Sequence, residues 1–321
     1  MNEPLFAFHD LAPALDDDFR SAVREGLSGR PRSISPKFFY DERGSELFDA
    51  ICDQPEYYPT RTEMALLERI APELAERTGG ETLLVELGSG ASRKVRLLLE
   101  SLRPAGYLGV DISREFLLTC TRRLADDYPW LAVTAACVDY SGEFRLPLAE
   151  GQTPLAFFPG SSIGNFHPDE ARGLLRRLHT ALGPGAGLLI GVDVKKDKAV
   201  LDAAYNDAAG VTAAFNLNLL TRMRRELGAR VTEEGFEHHA FYNEAAGRVE
   251  MHLRSRGAQV IELDGVSHHF ADGETIHTEC SYKYAPEEFR ALAAEAGYAA
   301  EETWQDADGL FSLHFLRTEW A

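Results

Sequence analysis

The residues best placed to do chemistry surround a glycine turn. The run Leu83-Leu84-Val85-Glu86-Leu87 stops at Gly88-Ser89-Gly90, and Ser92 opens an apolar-periodic segment that carries Lys94. This succession reads as strand, tight turn and helix N-terminus, which is where an open α/β sheet binds nucleotide-like ligands. A nicotinamide or flavin site wants a third glycine three positions after Gly90. Arg93 stands there instead, which argues against a dehydrogenase. No Lys-Ser/Thr pair follows the turn to grip phosphates. Asp111 ends the next apolar run, at roughly the 20-residue distance of a ribose-binding acid, and Asp139-Tyr140 end a third. An adenosine without phosphates, as in S-adenosylmethionine, suits this set. Glu86 and Lys94 would serve the methionine moiety, Asp111 the ribose hydroxyls, and Asp139 with Tyr140 the adenine.

Transfer of a methyl group from a sulfonium releases a neutral leaving group. The protein therefore gains mainly by aligning the acceptor's lone pair and letting the acceptor lose a proton. Acceptor residues are expected after the fourth strand, at Gly160-Ser161-Ser162-Ile163-Gly164-Asn165. Asn165 both donates and accepts, and Gly160 allows close approach to its carbonyl, a pair suited to an amino-acid backbone. Further on, Glu279 and Ser281 are two apart on a strand and so share a face. They would form the polar end of a side-chain pocket, with Tyr57, Tyr205 and Met251 around it. A carboxylate there asks for a basic or N–H-bearing group; imidazole meets that request and an aliphatic chain does not.

Strands and helices must deliver these residues to one edge of a sheet. From Thr82 onward they alternate: strands ending at Leu87, Asp111, Val138, Phe158 and Val192, with helices over 92–102, 113–125 and 168–182. Such β-α repetition implies a mostly parallel sheet with right-handed crossovers. Asp197 to Arg225 reads as one helix, followed by strands over 236–243, 248–258 and 274–282. The chain closes with a helix over 286–296 and a hairpin of two strands, 301–306 and 310–317. Before Thr82, a helical segment spans Asp16 to Leu27. The proline-bracketed Tyr57-Tyr58 should be extended or turned, with Thr60 or Thr62 capping a helix over 64–75. Tyr57 and Tyr58 should point different ways.

The 321 residues suggest two domains, and 45% apolar residues supply a sizeable core. A formal net charge of −18 disfavours nucleic acid or an anionic membrane as partner. No run is apolar and long enough to span a bilayer, and the Met1-Asn2-Glu3-Pro4 start lacks the features of a secretory leader, so a cytoplasmic monomer is expected. The four cysteines are scattered, and the pairs His238-His239 and His268-His269 place neighbours on opposite strand faces. No metal is expected.

Several stretches then become recognisable together. Lys37-Phe38-Phe39-Tyr40-Asp41, Pro55 to Glu63, Glu86 to Gly90, Gly160 to Asn165 and Tyr205 to Asn216 resemble the L-histidine N-alpha-methyltransferase family of ergothioneine biosynthesis. The resemblance implies a Rossmann-like class I S-adenosylmethionine-dependent methyltransferase core, 60–195 and 286–321, with a second α+β substrate-binding domain, 1–59 and 196–285. It implies trimethylation of the histidine α-amino group to hercynine. It carries over Gly88, Lys94, Asp111, Asp139 and Tyr140 to the donor, and Tyr57, Asn165, Tyr205, Glu279 and Ser281 to histidine, with Gly160 and Met251 as lining. Tyr40 is expected to stabilise the growing ammonium by cation–π attraction, making Tyr40 and Asn165 the catalytic candidates. The alternatives are an N-methyltransferase for another aromatic amino acid, such as a tryptophan derivative, and a non-catalytic S-adenosylmethionine-binding protein.

Overall fold

The computed structural model describes residues 6–11, 15–79, 81–148 and 153–318. Met1 to Pro4, on which the expectation about a leader rests, lie outside these. Two compact units emerge: Met1–Ala12, Pro59–Lys195 and Tyr282–Ala321 form the first, and Pro13–Tyr58 and Lys196–Ser281 the second.

The first unit is built on one sheet. Its strand order is Phe6–Asp10, Val133–Cys137, Gly106–Asp111, Thr82–Leu87, Thr153–Phe158, Gly187–Asp193, Phe311–Thr318, Tyr298–Gln305. All neighbours are parallel except at the last two strands, which form the antiparallel hairpin expected at that edge. Every residue of Thr82–Leu87 and Gly187–Asp193 is buried, as befits central strands covered on both faces. Leu67, Ile70 and Leu74 of the helix Tyr58–Thr78 and Val95, Leu98 and Leu99 of the helix Val95–Leu102 pack with Leu84, Phe157, Leu189 and Phe315. Each fully buried leucine contributes about 1.5–3 kcal/mol. This is the Rossmann-like core anticipated from the β-α alternation.

Several local expectations change. Residues 1–59 do not all join the second unit: Phe6–Asp10 pairs residue by residue with Val133–Cys137, and Phe6 and Phe8 pack on Leu117, Ala135 and Cys137. Five residues are too few for their alternation to stand out in the sequence. The return to the first unit comes at Tyr282 rather than Pro286, because Lys283 pairs with Asp193 at 2.7 Å and the Tyr284 amide donates to the Asp193 carbonyl. The helix expected from Met64 starts at Tyr58, so Thr60 and Thr62 lie inside it instead of capping it. Pro59 is tolerated in the first turn, where no amide hydrogen is required. The helix expected from Ser92 starts at Val95, because Ser92 has a left-handed φ of 51°.

The second unit has a four-stranded sheet, in the order Arg32–Ser33, Thr275–Tyr282, Arg248–Ser255, Phe236–Asn243. The single helix expected from Asp197 breaks into Lys198–Ala204 and Val211–Leu227. The Asp207 carboxylate accepts from the amides of Val211 and Thr212 at 2.7 and 2.8 Å and so restarts the helix after Gly210, whose φ is +73°. The strand expected to reach Ala258 ends at Ser255, and a separate hairpin follows, Gln259–Leu263 with Val266–Phe270. Its two-residue turn, Asp264-Gly265, has positive φ at both positions, the geometry Asp-Gly favours. Among the described residues no helix is long and apolar enough to cross a membrane.

Candidate active site

In the first unit the glycine turn leaves Thr82–Leu87 with positive φ at Gly88 and Gly90. A methyl group at Gly88 would also come within 3.3 Å of the Tyr140 hydroxyl, so both the backbone and Tyr140 demand glycine there. Asp111 Oδ2 accepts from the Gly90 amide at 3.0 Å, and Oδ1 from the Ser113 amide at 2.9 Å. The acid thus joins two strand ends, and with the Ile112 amide as a third backbone donor it keeps room for one more. Burial raises its pKa while these amides oppose the rise. Asp139 accepts from the Ser141 amide at 2.9 Å, and the next residue, Tyr140, stands edge-on to Phe158 with ring centroids 5.8 Å apart. Burial raises the Tyr140 phenol's pKa, so it remains protonated at neutral pH.

Glu86 has a different task from the one expected. Its side chain accepts from the Tyr107 phenol at 2.6 Å, and the residue is 1% exposed. Burial pushes its pKa up to about 8, so it is mostly protonated at neutral pH. It supports the turn from beneath rather than presenting a carboxylate.

Lys94 is paired, not solvated: its Nζ lies 2.7 Å from Oε2 of the fully buried Glu63. Both Glu63 oxygens also accept from the Gly160 amide, at 3.0 and 2.9 Å. Lys94, Glu63 and Gly160 therefore form one cluster, joining the segment after the first central strand to the loop after Thr153–Phe158. Gly160 has φ +79° and Ser161 φ 56°, and the Ser161 hydroxyl accepts from the Asp193 amide at 2.9 Å. Asn165 ends the short 3-10 turn Ser162–Asn165 and is partly exposed.

In the second unit an aromatic group brings together Tyr57, Tyr205 and Tyr40. Tyr57 faces Phe48 and Tyr205 at centroid distances of 6.5 and 6.3 Å, and Tyr40 faces Phe48 and Phe215 at 5.6 and 5.7 Å. Burial raises the Tyr57 phenol's pKa, with Tyr205, Cys52, Glu279 and Tyr40 adding to the effect. Tyr57 therefore stays protonated at neutral pH. Tyr58 has other company, accepting from Lys196 Nζ at 2.6 Å. Glu279 and Ser281 are both buried on Thr275–Tyr282, and Met251 is buried on the neighbouring strand.

A hydrogen-bond chain behind this group fixes Tyr205. The Thr278 hydroxyl lies within hydrogen-bonding distance of both Asn216 Oδ1 and the Met251 carbonyl, at 2.8 and 3.1 Å. Asn216 Nδ2 donates to His238 Nδ1 at 2.9 Å, and His238 Nε2 donates to the Tyr205 carbonyl at 2.9 Å. Burial lowers the His238 pKa and keeps the ring neutral, as this pattern requires.

Comparison with known proteins decides the lineage. The family model for histidine-specific, S-adenosylmethionine-dependent methyltransferases matches residues 19–318. The chain belongs to that family. Histidine N-alpha-methyltransferase of Mycolicibacterium smegmatis is 41% identical to it over 94% of this chain and 95% of its own. The Mycobacterium tuberculosis protein of the same name is 39% identical, covering 92% and 93%. Ergothioneine biosynthesis protein 1 of Neurospora crassa is 32% identical over 89% of this chain, which spans 33% of that longer protein. The methyltransferase family carries its cofactor preference in its description: S-adenosylmethionine is the donor.

Two features of this family member escaped the sequence reading. Glu63 lies inside a helix and closes the Pro55–Glu63 stretch, but nothing in that stretch reveals its partners, which are 31 and 97 positions away. Asn216 and His238 are likewise joined only by the fold. Their signal in the sequence is a polar residue in an otherwise buried helical row, with Phe215 before it and Leu219 and Leu220 after.

Proposed function

We propose that this enzyme transfers three methyl groups in succession from S-adenosylmethionine to the α-amino nitrogen of L-histidine, giving hercynine. The observation that carries the substrate assignment is buried Glu279 acting on the Tyr57 phenol within a group that includes Tyr205 and Tyr40. A carboxylate oxygen can accept from an imidazole N–H, a donor that an aliphatic side chain does not offer. Ser281, on the same strand, completes the polar end of the side-chain site, and Met251 limits its width.

Donor binding falls to the first unit. Asp111 accepts from a ribose hydroxyl with the lone pair its backbone donors leave, Asp139 and Tyr140 receive the adenine, and Gly88 gives the ligand close access to the turn. Lys94, held by Glu63, meets the donor's carboxylate. Asn165 and the Gly160 carbonyl orient the acceptor's amino and carboxyl groups. Tyr57 donates its proton in a hydrogen bond. Tyr40 offers a π face to the nitrogen as its charge becomes permanent. Catalysis in this account is chiefly alignment of nitrogen, methyl and sulfur. The same reading makes the chain a cytoplasmic monomer acting on a small molecule, with no nucleic-acid or membrane partner; its charge of −18 supports the exclusion of polyanions.

The decisive assay incubates the enzyme with S-adenosylmethionine and a panel of amino acids and follows mass. Histidine gaining one, two and three methyl groups is expected. Methylation of a tryptophan derivative in preference, or no product at all, would overturn the proposal.

A further inference from the structure

Single residues from well-separated positions meet on two adjacent strands of the second unit, Arg248–Ser255 and Thr275–Tyr282. Glu250, His252 and His277 each bring one ligating atom, all within 4.8 Å of one another. The two imidazole rings lie 4.9 Å apart, centroid to centroid. Alternation places Glu250 and His252 on one face of the first of these strands, and His277 lies two residues before Glu279 on the second.

The hydrogen bonding around the rings is incomplete in a specific way. His252 Nε2 donates to Glu250 Oε2 at 3.0 Å, and His277 is hydrogen-bonded to the Glu279 backbone. His252 Nδ1 and His277 Nε2 are left buried with no hydrogen-bond partner. Leaving a buried acceptor unsatisfied is destabilising, and here two occur in one cluster. An imidazole whose second nitrogen is held by a carboxylate or carbonyl, with the first left as a bare lone pair, is the arrangement of a metal ligand.

Glu250 shapes the selectivity. Its Oε1 accepts from Asn243 and Arg248, at 3.0 and 2.9 Å, leaving Oε2 on the imidazole side. Arg248 offsets the carboxylate's charge, so the set has little to offer calcium or magnesium, which favour oxygen ligands and negative charge. Neutral imidazoles favour zinc, copper and nickel.

We infer that His252 and His277 bind a divalent transition-metal ion of the zinc class through their two imidazoles, with Glu250 on Nε2 of His252 orienting that ring. The ion would clip together two neighbouring strands, one of which carries Glu279. Its role is structural, and no step of methyl transfer passes through it.

The full chain, stripped with a chelator and dialysed, is titrated with zinc chloride by calorimetry and melted with and without zinc. One equivalent is expected to bind and to raise Tm, as any ligand of the native state does. His252→Gln and His277→Gln should each weaken binding at least tenfold and lose the Tm response. His269→Gln, at an exposed histidine on Val266–Phe270, should retain both, and magnesium should give neither. Failure of the wild-type chain to bind zinc overturns the inference, as does undiminished binding in the His252→Gln/His277→Gln double variant. Should that variant not fold, the copper adduct of the wild-type chain decides: electron paramagnetic resonance showing coupling to two imidazole nitrogens upholds the site, and its absence removes it.

Discussion

In the first unit Asp111 is gripped by the backbone amides of Gly90 and Ser113, and Glu63 by that of Gly160. In the second unit Tyr57, Tyr205 and Tyr40 are held by one another and by Phe48 and Phe215, side chain against side chain. Backbone donors come with the turn itself, and many sequences that fold into this strand–turn–helix supply them. Side-chain neighbours must be chosen at every position. Under the proposed assignment, the difference teaches where specificity resides: the donor end would be generic to the architecture, and the acceptor end particular to this family.

That contrast can be tested, starting with the largest expected effect. Lys283 and Asp193 form an ion pair at 2.7 Å with each side chain 1% exposed. Lys283→Met strands the aspartate and should cost about 3–5 kcal/mol in urea unfolding, with partial recovery when Asp193→Leu is added. Asp111→Ala should weaken S-adenosylmethionine binding by about 3 kcal/mol, the scale of charged hydrogen bonds, and leave histidine affinity little changed in calorimetry; an equal loss for both ligands would blur the division. Conversely, Glu279→Ala should weaken histidine by about 1–3 kcal/mol and spare the donor.

A fourth test uses pH. Glu86 has its pKa raised from 4.5 to about 8 in the folded protein, so the native state keeps a proton that the unfolded chain releases. Its stabilising contribution is complete below the unfolded value and declines as pH rises towards the folded one, by about 1.4 kcal/mol per unit at the steepest. Glu86→Gln should flatten the fall of Tm across that window; a slope identical to that of the wild type would show that the proton is not held. The smallest effect concerns Tyr40. Replacing it with alanine removes a cation–π contribution of about 0.5–2 kcal/mol and should slow the last methylation more than the first, read as accumulation of dimethylhistidine by mass.

The strands Thr82–Leu87, Gly106–Asp111, Thr153–Phe158 and Gly187–Asp193 were legible because each is a largely apolar run closed by a glycine, a proline or an acid: Gly88, Asp111, Pro159 and Asp193 mark their ends. Helix starts were less so. Tyr58 and Val95 begin helices for reasons of backbone geometry, a proline at the second position in one case and a left-handed Ser92 in the other, that composition does not reveal. The hairpin at Asp264-Gly265 was not anticipated, although Asp-Gly suits its turn; its two strands are five residues each. For the candidate site, the polar residues at strand ends could be picked out singly. The Glu63 cluster and the Asn216–His238 chain could not, since hydrogen bonds between residues tens of positions apart leave no periodic trace.

The strand Phe6–Asp10 lies outermost in its sheet, against Val133–Cys137. Without it, the latter strand would present a bare row of amides and carbonyls, a template on which another chain can add. These five residues, remote in sequence from every proposed ligand contact, also cover Leu117, Ala135 and Cys137 with Phe6 and Phe8, so shortening the protein to begin at the first helix should uncover apolar surface and be felt first as aggregation.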